Sequence, residues 1–453
     1  LMDNNMKSSD YIKDISREFA IYTAQHRAIP ALTDGLKDGQ RKFLWVARNK
    51  SDKIKTVSLG TEAIGQGLYV HGDGPASDTV ALLAAPFVNN IPLLEGLGNF
   101  GNRLAPTDVG APRYTSVKRG IAAKELIYPD IDIVPLQENY DGSNMEPTTF
   151  LPIVPMVLVN GVSGIAVGWS TSILPRNLGD VIDATIKVLD GKKPKTITPS
   201  YDYLNCDVDH IIDSSWMFTG KVEKVNSTTV KVTELPPEVS LESYKEKLNK
   251  MIDDDIIVDY DDNSAEFINI EIKFQRKNLD NKTTKELISL LKLSQKKTER
   301  IVVLDFNNTS IKQYATDIDL IQDFVKWRFG WYTIRYQNMK SKAEYELKFW
   351  KALKECFDKN LPSKISKMTN KKMLEEEVSK IASKIVELDS SQLDKISSLP
   401  SYRWAKDYYQ NILDKISEIE SNIKNYEELL SDEDKLKQVY KDELKKLKTI
   451  KFR

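Results

Sequence analysis

The segment APRYTSVK, residues 111–118, holds the side chains best suited to covalent chemistry in this sequence. A tyrosine phenolate can attack phosphorus and later leave again, so a phosphotyrosyl link forms and reverses without a cofactor. The phenol has a pKa of about 10 when free, so positive charge or a base must lie near it. Arg113, beside Tyr114, offers a guanidinium for the negative charge that builds up at phosphorus, and Lys118 and Arg119 add to the field. The alternative interpretation is a buried tyrosine beside a surface arginine.

A local excess of positive charge lies between residues 37 and 55. Its cations are Lys37, Arg41, Lys42, Arg48, Lys50, Lys53 and Lys55. Over the whole chain, 65 lysines and arginines face 66 aspartates and glutamates, so the total charge does not indicate a nucleic-acid-binding protein. A binding patch for phosphates is one interpretation of the cluster, and a solvated helical face is the other.

The remaining composition excludes several classes of site. Cys206 and Cys356 lie far apart and histidines are few, which argues against a disulfide framework or a zinc site and fits a reducing compartment. The acidic runs at 207–209 and 253–255 are interpreted as solvated loops, so no metal site is predicted in this chain. A long apolar run and the apolar core of a signal peptide are both absent, which predicts a cytoplasmic protein without a membrane span.

Three sequence patterns along the chain indicate which secondary structures position these residues. Residues from about 8 to 50 have helical spacing, and a glycine-rich run from 60 to 120 predicts tight loops. The run contains GLGNFGNR, but no Lys-Ser/Thr follows it, so it is not interpreted as a phosphate-binding P-loop. From about 150, apolar stretches broken by proline and glycine, and later β-branched runs, predict core strands. The segment SLESYKEKLNKMI among them has helical spacing.

The chain becomes strongly helical from about residue 318. Apolar residues recur at steps of three and four on a first long segment, from Tyr336 to Phe357, and on a last one, from Ile412 to Leu430. Ser431 and Asp434 have the spacing of a capping box that restarts a helix. The sequence therefore predicts an antiparallel helical arm with a small globular tip at about 359–401.

Six segments, in order, resemble signatures of the breakage–reunion subunits of the type IIA DNA topoisomerases, the family of gyrase A. The resemblance is colinear over essentially the whole chain. The segments are RAIPALTDGLKDGQRKFLW, LYVHGDGPASDT, LEGLGNFGNR, APRYT, NYDGSNMEPTTFLPIVPMVLVNGVSGIAVGWSTSILPRNL and LSDEDKLKQVYKDELKKLK. The form GVSGIAVGWSTSILP resembles the branch of the family found in T-even-type bacteriophages. The stop after the helical arm, without a DNA-wrapping domain, favours the same branch.

The resemblance implies a predominantly helical α+β multidomain fold. Residues 1–145 would form an N-terminal helix and a winged-helix DNA-binding domain with the catalytic tyrosine, and 146–320 an α/β tower domain. Residues 321–453 would form an antiparallel coiled-coil arm that carries a globular C-gate tip. On this reading the heptad pattern of the last segments, which alone says nothing about DNA, belongs to a dimerising arm.

The resemblance also assigns roles to single residues. Tyr114 would form a 5′-phosphotyrosyl link and Arg113 would stabilise the transition state. Ile165, which on its own would be interpreted as a core residue, falls where the family inserts an apolar wedge between base steps. The remaining matched positions contact the DNA, mostly through phosphates that fix its place without reading sequence. They are Arg27, Lys37, Arg41, Lys42, Tyr69 and His71.

Two departures from the family pattern affect these assignments. Tyr69 stands where the family has the first histidine of HPHGD, so the proton-handling role of that pair is in question. Asp38 and Gly39 replace a proline and a variable residue, which changes the local stiffness before Arg41.

The resemblance predicts a subunit that is inactive alone. The family takes Mg2+ from a Toprim domain and hydrolyses ATP in a further domain, and neither signature occurs in this sequence. We therefore expect one or two partner subunits carrying Toprim and ATPase, double-stranded DNA as substrate, and a homodimer joined through the C-gate. The expected reaction is ATP-dependent duplex passage, as relaxation or decatenation, in the service of DNA replication. The expected place is the cytoplasm, of a host cell if the protein is viral.

Two other functions remain open from the residues alone. A tyrosine recombinase also forms a phosphotyrosine, but makes a 3′ link without metal and needs an Arg/His/Arg constellation that we do not find. A structural DNA clamp that has lost cleavage would keep the same DNA-binding surface and helical arm. The intact Arg113–Tyr114 pair argues against the clamp.

Overall fold

In the computed structural model, the described residues are 8–452, apart from residues 280, 281, 366, 367, 369, 384 and 406. The chain separates into two compact units. The first unit holds the chain up to Arg328 and again from Lys441 onwards, and the second unit comprises Phe329–Tyr440. The three-part division predicted from the sequence is finer than this, and it stays a prediction.

Four helices and three short strands lead the described part of the first unit. They are α1 Ser8–Thr23, α2 Asp38–Ala47, β1 Ile54–Lys55, α3 Thr56–Gly65, α4 Asp73–Ala84, β2 Leu94–Leu97 and β3 Ser116–Arg119. The strands form an antiparallel sheet in the order β1-β3-β2. Helix α2 contacts both α3 and α4. A Cβ on Gly60 of α3 would lie only 3.3 Å from the Cβ of Ala76 in α4, so these two helices are held at close range.

The continuous helical region predicted from about 8 to 50 is interrupted. Helix α1 passes into a π-helical turn at Ala24–Ala28, and α2 begins only at Asp38. The loop between them contains Pro30, which has no N–H to donate, and Gly35, whose φ of 71° is left-handed. Apolar spacing identifies the buried face of a segment, but it does not show where the backbone leaves the helix.

The elements that follow are mostly short. They comprise a π-helical turn Ala123–Ile127, a 3-10 turn Ile131–Ile133, β4 Leu136–Glu138, β5 Met145–Pro147, α5 Met156–Asn160, β6 Val162–Ala166, β7 Trp169–Ile173 and α6 Leu178–Leu189. The prediction of core strands fails at Met156–Asn160, which is a buried helical turn that ends at Gly161. A short apolar run fits a buried strand or a buried helix equally well, and the run after Pro155 is helical.

The remainder of the first unit is an α+β region. Its elements are β8 Asp207–Ile212, β9 Ser215–Thr219, β10 Lys221–Lys224, β11 Thr229–Glu234, α7 Leu241–Asp253, β12 Asp259–Asp262, β13 Ile270–Lys273, α8 Arg276–Leu279, α9 Thr284–Leu290, β14 Ser294–Thr298, β15 Ile301–Leu304 and β16 Ile311–Tyr314. The antiparallel sheets run in the orders β10-β11-β13-β12 and β14-β9-β8, and β15 pairs with β16. The predicted strands and the predicted helix α7 are confirmed. Helix α7 packs its apolar side, including Tyr244 and Leu248, on the four-stranded sheet.

The second unit is helical throughout its described part. Its elements are α10 Asp317–Asp358, α11 Pro362–Ile365, α12 Lys371–Ala382, α13 Ser390–Ser397, a 3-10 turn Ser401–Trp404, α14 Tyr408–Ser431 and α15 Glu433–Leu447. Helix α10 begins, and α15 ends, in the first unit. Four residues of the predicted insert, 366, 367, 369 and 384, lie outside the described part of the chain.

Helices α10 and α14 lie side by side in opposite directions. The Lys340 ammonium is 2.9 Å from the Glu427 carboxylate, and the Lys351 ammonium is 2.7 Å from that of Glu420. Residue numbers rise on one helix as they fall on the other, so the pair is antiparallel. The two predicted long helices are therefore confirmed, and the apolar residues between their far ends join one core with α12 and α13.

The start of α15 differs from the predicted capping box. Asp432, not Ser431, caps the helix, because its Oδ1 accepts from the backbone N–H of Asp434 at 3.0 Å and of Lys435 at 3.1 Å. The Ser431 hydroxyl donates instead to the carbonyl of Glu428 at 3.0 Å. A serine and an aspartate side by side offer two possible caps, and sequence spacing does not choose between them.

Candidate active site and nucleic-acid interface

Tyr114 lies in a tight turn directly before strand β3. Its backbone N–H donates to the carbonyl of Ala111 at 2.8 Å, and 71% of the residue is exposed. An interior tyrosine would be packed and hydrogen-bonded through its phenol. The alternative interpretation of a buried tyrosine therefore does not hold, and the phenol can be reached from outside.

The start of helix α3 fixes this turn in place. The hydroxyls of Thr56 and Thr115, both buried, lie 2.8 Å apart, and the Thr56 N–H donates to the Thr115 carbonyl at 3.2 Å. One residue further, the Val57 N–H donates to the Pro112 carbonyl at 3.3 Å. The first residues of a helix have unpaired N–H groups, and here the turn that carries Tyr114 supplies their acceptors.

The glycine-rich loop packs against the other side of the same turn. Cβ atoms on Gly98 and Gly110 would lie 3.4 Å and 3.3 Å from the Thr115 methyl group. A Cβ on Gly101, whose φ is 89°, would lie 2.1 Å from the carbonyl oxygen of Pro106. The predicted tight loop is confirmed, and its glycines permit a close packing against Thr115 that larger residues would block.

Two cationic groups lie at the tyrosine. The Arg113 guanidinium carbon is 4.8 Å from the centre of the Tyr114 ring, and the Lys55 ammonium donates to the Tyr114 carbonyl at 3.3 Å. Lys55 was recognised in the sequence only as part of a basic run, because nothing in the spacing shows that β1 pairs with β3. The two cations expected to add field are engaged elsewhere: Lys118 with the Glu95 carboxylate at 2.9 Å, and Arg119 with the Arg48 carbonyl at 2.7 Å.

Arg27, which is exposed, and His71, which is partly buried, form a second pair. The guanidinium Nη2 of Arg27 lies 3.2 Å from Nδ1 of His71, and the His71 ring meets that of Tyr69 edge-on at 5.2 Å between centres. Partial burial, and then the charges of Arg27 and Lys42, lower the pKa of His71 below its usual value. A lowered pKa favours the neutral ring, which can accept a hydrogen bond from Arg27.

Lys37 and Lys42 are cationic but partly enclosed. The Lys37 ammonium donates to the Ser163 carbonyl at 2.8 Å, and burial lowers the pKa of Lys37. The Lys42 ammonium lies 3.4 Å from the Asp38 carboxylate and 3.3 Å from that of Glu146. Lys37 thus lies at the β6–β7 hairpin with no carboxylate beside it in the described structure, whereas the charge of Lys42 is balanced by two acids.

Arg41 and Tyr69 are both buried in the described structure, and their predicted contacts with DNA stay a prediction. Arg41 is 5% exposed, and its Nε and Nη2 donate to the Asp34 carboxylate at 2.6 Å and 3.0 Å. Burial tends to lower the pKa of Arg41, but the charge and hydrogen bonds of Asp34 outweigh it and keep the guanidinium charged. Tyr69 is 9% exposed, and its ring lies 4.8 Å from that of Phe43. Asp34, on the loop before α2, thus holds Arg41 with two hydrogen bonds, whereas Tyr69 packs on Phe43 of α2 itself.

Ile165 lies near the tip of the β6–β7 hairpin and is 86% exposed. A single exposed apolar residue is common, but Val167 and Trp169 beside it are exposed as well, and a cluster of exposed apolar side chains marks a candidate contact surface. A Cβ on its neighbour Gly164 would lie 2.0 Å from the carbonyl oxygen of Ala28, so this hairpin packs directly on the π-helical turn that carries Arg27. The interpretation of Ile165 as a core residue does not hold.

The acidic runs do not form a metal centre in the described part of the chain. Asp207 and Asp209 lie on strand β8 rather than in a loop, and Asp207 pairs with the Lys221 ammonium at 2.5 Å. The run at 253–255 closes helix α7 and is exposed, as expected. No three His, Cys, Asp or Glu residues among those described come together to hold a metal ion. The carboxylates that are described therefore do not fit a Mg2+ site.

No helix in the described ranges is long and apolar enough to cross a membrane. The sequence predicts that the N-terminal segment is not a signal peptide. Residues 1–7 of that segment lie outside the described ranges.

The chain belongs to a known family of DNA topoisomerase subunits. The family model that describes the A subunit of DNA gyrase and topoisomerase IV matches residues 27–445. That match covers nearly all of the chain, and it confirms the resemblance drawn from the six sequence signatures.

Individual relatives agree with this membership. The DNA topoisomerase medium subunit of Enterobacteria phage T4 is 29% identical over 424 residues, which cover 89% of this chain and 91% of that protein. DNA topoisomerase 2-alpha of Rattus norvegicus is 32% identical over 339 residues, covering 71% of this chain and 22% of the rat protein. This chain thus matches about a fifth of the length of the eukaryotic relatives. The predicted likeness to a bacteriophage protein is confirmed.

A solved structure extends the likeness to the fold. The crystal structure of the DNA-binding, cleavage and re-ligation domain of Plasmodium falciparum topoisomerase II superposes with a TM-score of 0.83 at 23% identity. The superposition covers 97% of this chain and 65% of that one. The mixed helix-and-sheet architecture of this chain is therefore that of a type II topoisomerase cleavage domain.

Proposed function

We propose that this chain cuts and rejoins DNA as the breakage–reunion subunit of an ATP-dependent type II DNA topoisomerase. The single observation that carries the proposal is the geometry of the turn at residues 111–115. It holds an exposed phenol on a backbone fixed from two sides, with the guanidinium of Arg113 against the ring and the ammonium of Lys55 at the carbonyl. Family membership supports double-stranded DNA as the substrate of this site.

In the proposed reaction, the Tyr114 oxygen attacks a backbone phosphorus and displaces the 3′ oxygen of the neighbouring nucleotide. One P–O bond forms to tyrosine and one breaks, the phenol gives up one proton, and the departing 3′ hydroxyl gains one. The product is a 5′-phosphotyrosyl link and a free 3′ end, and reversal restores both. The negative charge that builds up at phosphorus is stabilised by Arg113, whose planar guanidinium can pair with two phosphate oxygens.

Around this centre we propose the following division of labour. Helices α2–α4 and the β1-β3-β2 sheet act as a winged-helix DNA-binding domain, and the sheets between β8 and β16 act as the tower. Helices α10 and α14 act as a coiled-coil arm whose tip closes a C-gate with a second copy of the chain. Two copies of Tyr114 would then cut both strands, so that a second duplex passes through and DNA is relaxed or decatenated.

We propose that the remaining chemistry comes from a partner. The described carboxylates of this chain do not gather into a metal site, so Mg2+ would be held by a Toprim domain, and ATP would be used by an ATPase domain, in one or two partner subunits. The chain alone would bind DNA without forming adducts.

Covalent trapping tests this proposal directly. The chain, a matching Toprim/ATPase partner, ATP and Mg2+ are mixed with end-labelled supercoiled DNA and quenched with detergent. We expect protein linked to 5′ ends at staggered breaks, lost entirely in Tyr114→Phe. The matched control is Tyr140→Phe, since Tyr140 is also highly exposed but lies in a different loop.

The outcomes separate the three functions considered. Adducts on 3′ ends would indicate recombinase-like chemistry, and the proposal would fail. The partner subunit must first be shown to be active with another cleavage subunit. If the wild-type chain then forms no adduct with that partner, the result would favour the structural DNA clamp.

A further inference from the structure

The β6–β7 hairpin presents more than one exposed apolar residue. Its strands pair Ile165 with Ser170 and Ala166 with Trp169, so Val167 and Gly168 form a two-residue turn. Gly168 has a φ of 78°, and Val167 is 64% exposed. Ala166, on the opposite face from Ile165, packs on the core beneath. One face of the hairpin is thus anchored, and the tip beyond it is exposed and apolar.

A cationic side chain from elsewhere in the chain flanks this tip. Arg300 exchanges both backbone hydrogen bonds with Ser172 of β7, at 2.9 Å and 3.0 Å. Its Nη1 donates to the Ser170 hydroxyl at 3.3 Å, and its guanidinium carbon lies 5.9 Å from the centre of the Trp169 ring. Arg300 is exposed, and no carboxylate pairs with it in the described part of the chain. Its position beside the tip is therefore fixed while its charge stays available.

Lys37 occupies the corresponding place on the other strand. Its ammonium donates to the carbonyl of Ser163 in β6, whereas Arg300 lies along β7. The apolar tip thus has one cation beside each of its two strands. An apolar wedge opens a base step, and phosphate contacts on both flanks then hold the two DNA segments in the bent form.

We propose that Arg300 is a phosphate-binding residue that works with Ile165 and Lys37 to bend DNA across the hairpin. The proposal rests on the proposed function, because it takes double-stranded DNA as the partner. Arg300 lies far in sequence from the basic run at 37–55, and no sequence signature singled it out. Trp169 serves as the flat surface on which the guanidinium rests, so it is a positioning residue.

The test measures DNA binding and bending by the full-length chain without Mg2+ or partner, so that cleavage does not enter. A duplex labelled at both ends reports bending by energy transfer, and affinity is measured over a range of salt concentrations. We expect Arg300→Gln to make the dependence of log affinity on log salt shallower by about 0.9, the value for one lost phosphate contact. We expect Ile165→Ala to lose most of the bend with an unchanged salt slope.

The matched control is Arg276→Gln, which removes an exposed arginine from α8, outside the hairpin. It should change neither slope nor bend. Trp169→Phe keeps a flat ring and should retain bending, whereas Trp169→Ala should reproduce part of the Arg300→Gln effect. Thermal unfolding of each variant checks that the fold is intact.

An Arg300→Gln variant with the wild-type salt slope and wild-type bending would overturn the inference. This result can be told apart from failure of the proposed function. If Tyr114 still forms 5′ adducts in the trapping assay, the cleavage role stands and only the role of Arg300 falls. If no adducts form but Arg300→Gln makes the salt dependence of DNA affinity shallower, the role of Arg300 stands and the cleavage role falls.

Discussion

The Arg103 guanidinium donates to the carboxylate of Glu234, and both side chains are buried. Arg103 lies within the glycine-rich loop that packs on Thr115, and Glu234 ends strand β11 of the four-stranded sheet. The same carboxylate also accepts from the backbone N–H of Asn205 at 3.0 Å and of Leu235 at 2.9 Å. This ion pair therefore ties the loop beside Tyr114 to a sheet that is distant in sequence.

Removal of one partner of this pair should be costly. We expect Arg103→Met to lower the free energy of unfolding by about 3–5 kcal/mol, because Glu234 is left charged and buried without its cation. Chemical denaturation, monitored by circular dichroism, measures the loss. The double variant Arg103→Met/Glu234→Gln should recover part of it, and a double variant no more stable than the single one would contradict this explanation.

Substitution of Arg41 tests whether this residue stabilises the fold or contacts DNA. We expect Arg41→Met to lower the free energy of unfolding by about 3–5 kcal/mol, because the buried carboxylate of Asp34 loses its partner. The salt dependence of DNA binding should stay unchanged in the folded fraction. Lys37→Gln is the matched comparison: it should leave stability within about 1 kcal/mol and flatten the salt slope by about 0.9. A flattened slope in Arg41→Met would return Arg41 to the DNA-contacting set.

His71 should titrate below an ordinary histidine. Proton NMR of the histidine ring signals should show a midpoint below the free value of about 6.5, with the His71→Gln spectrum assigning the signal. We expect Arg27→Gln to move the midpoint part of the way up, because one repulsive charge is removed while the partial burial remains. A midpoint that does not respond to Arg27→Gln would contradict the contact.

The same shift sets the sign of a pH effect on stability. The pKa of His71 is lowered in the folded chain, so the unfolded chain binds the proton more tightly. Folded stability should therefore fall as pH drops through the free value of about 6.5, and be fully present above it. Denaturation of wild type and His71→Gln at pH 5 and pH 8 checks the sign, and solvent exposure of His71 keeps the effect small.

Arg113→Lys tests transition-state stabilisation. Lysine keeps the positive charge but loses the planar pair of donors, so we expect adduct formation to slow by about 10²–10³-fold while DNA affinity changes little. Single-turnover trapping in the presence of Mg2+ with the Toprim/ATPase partner gives the rate. An equal loss in adduct formation and in DNA affinity would indicate a binding role instead.

The sequence predicted those features that depend on local pattern. The long helices α10 and α14, helix α7 with its neighbouring strands, and the tight glycine loop follow from spacing and residue type. Tyr114 was predicted to be the nucleophile because the segment APRYT, which contains the Arg113–Tyr114 pair, resembles a family signature. Its exposure agrees with a role that the composition alone would not have suggested.

The rest depends on contacts between distant segments. Burial of Arg41 results from Asp34 on a loop that a helical pattern does not show. Lys55 reaches the Tyr114 carbonyl only because β1 pairs with β3, and Arg300 reaches the hairpin only because its backbone pairs with Ser172. Strand pairing across long separations is set by the packed fold, so no local rule could have placed these cations.

The backbones of Gly164 and Ala28 are so close that no side chain fits between them, so the hairpin packs main chain against main chain on the π-helical turn. The turn carries Arg27 and the hairpin carries Ile165. If Arg27 and Ile165 both contact a bound duplex, this main-chain contact fixes the distance between the backbone positions that carry them. That backbone distance does not depend on the flexible side chains that surround the contact.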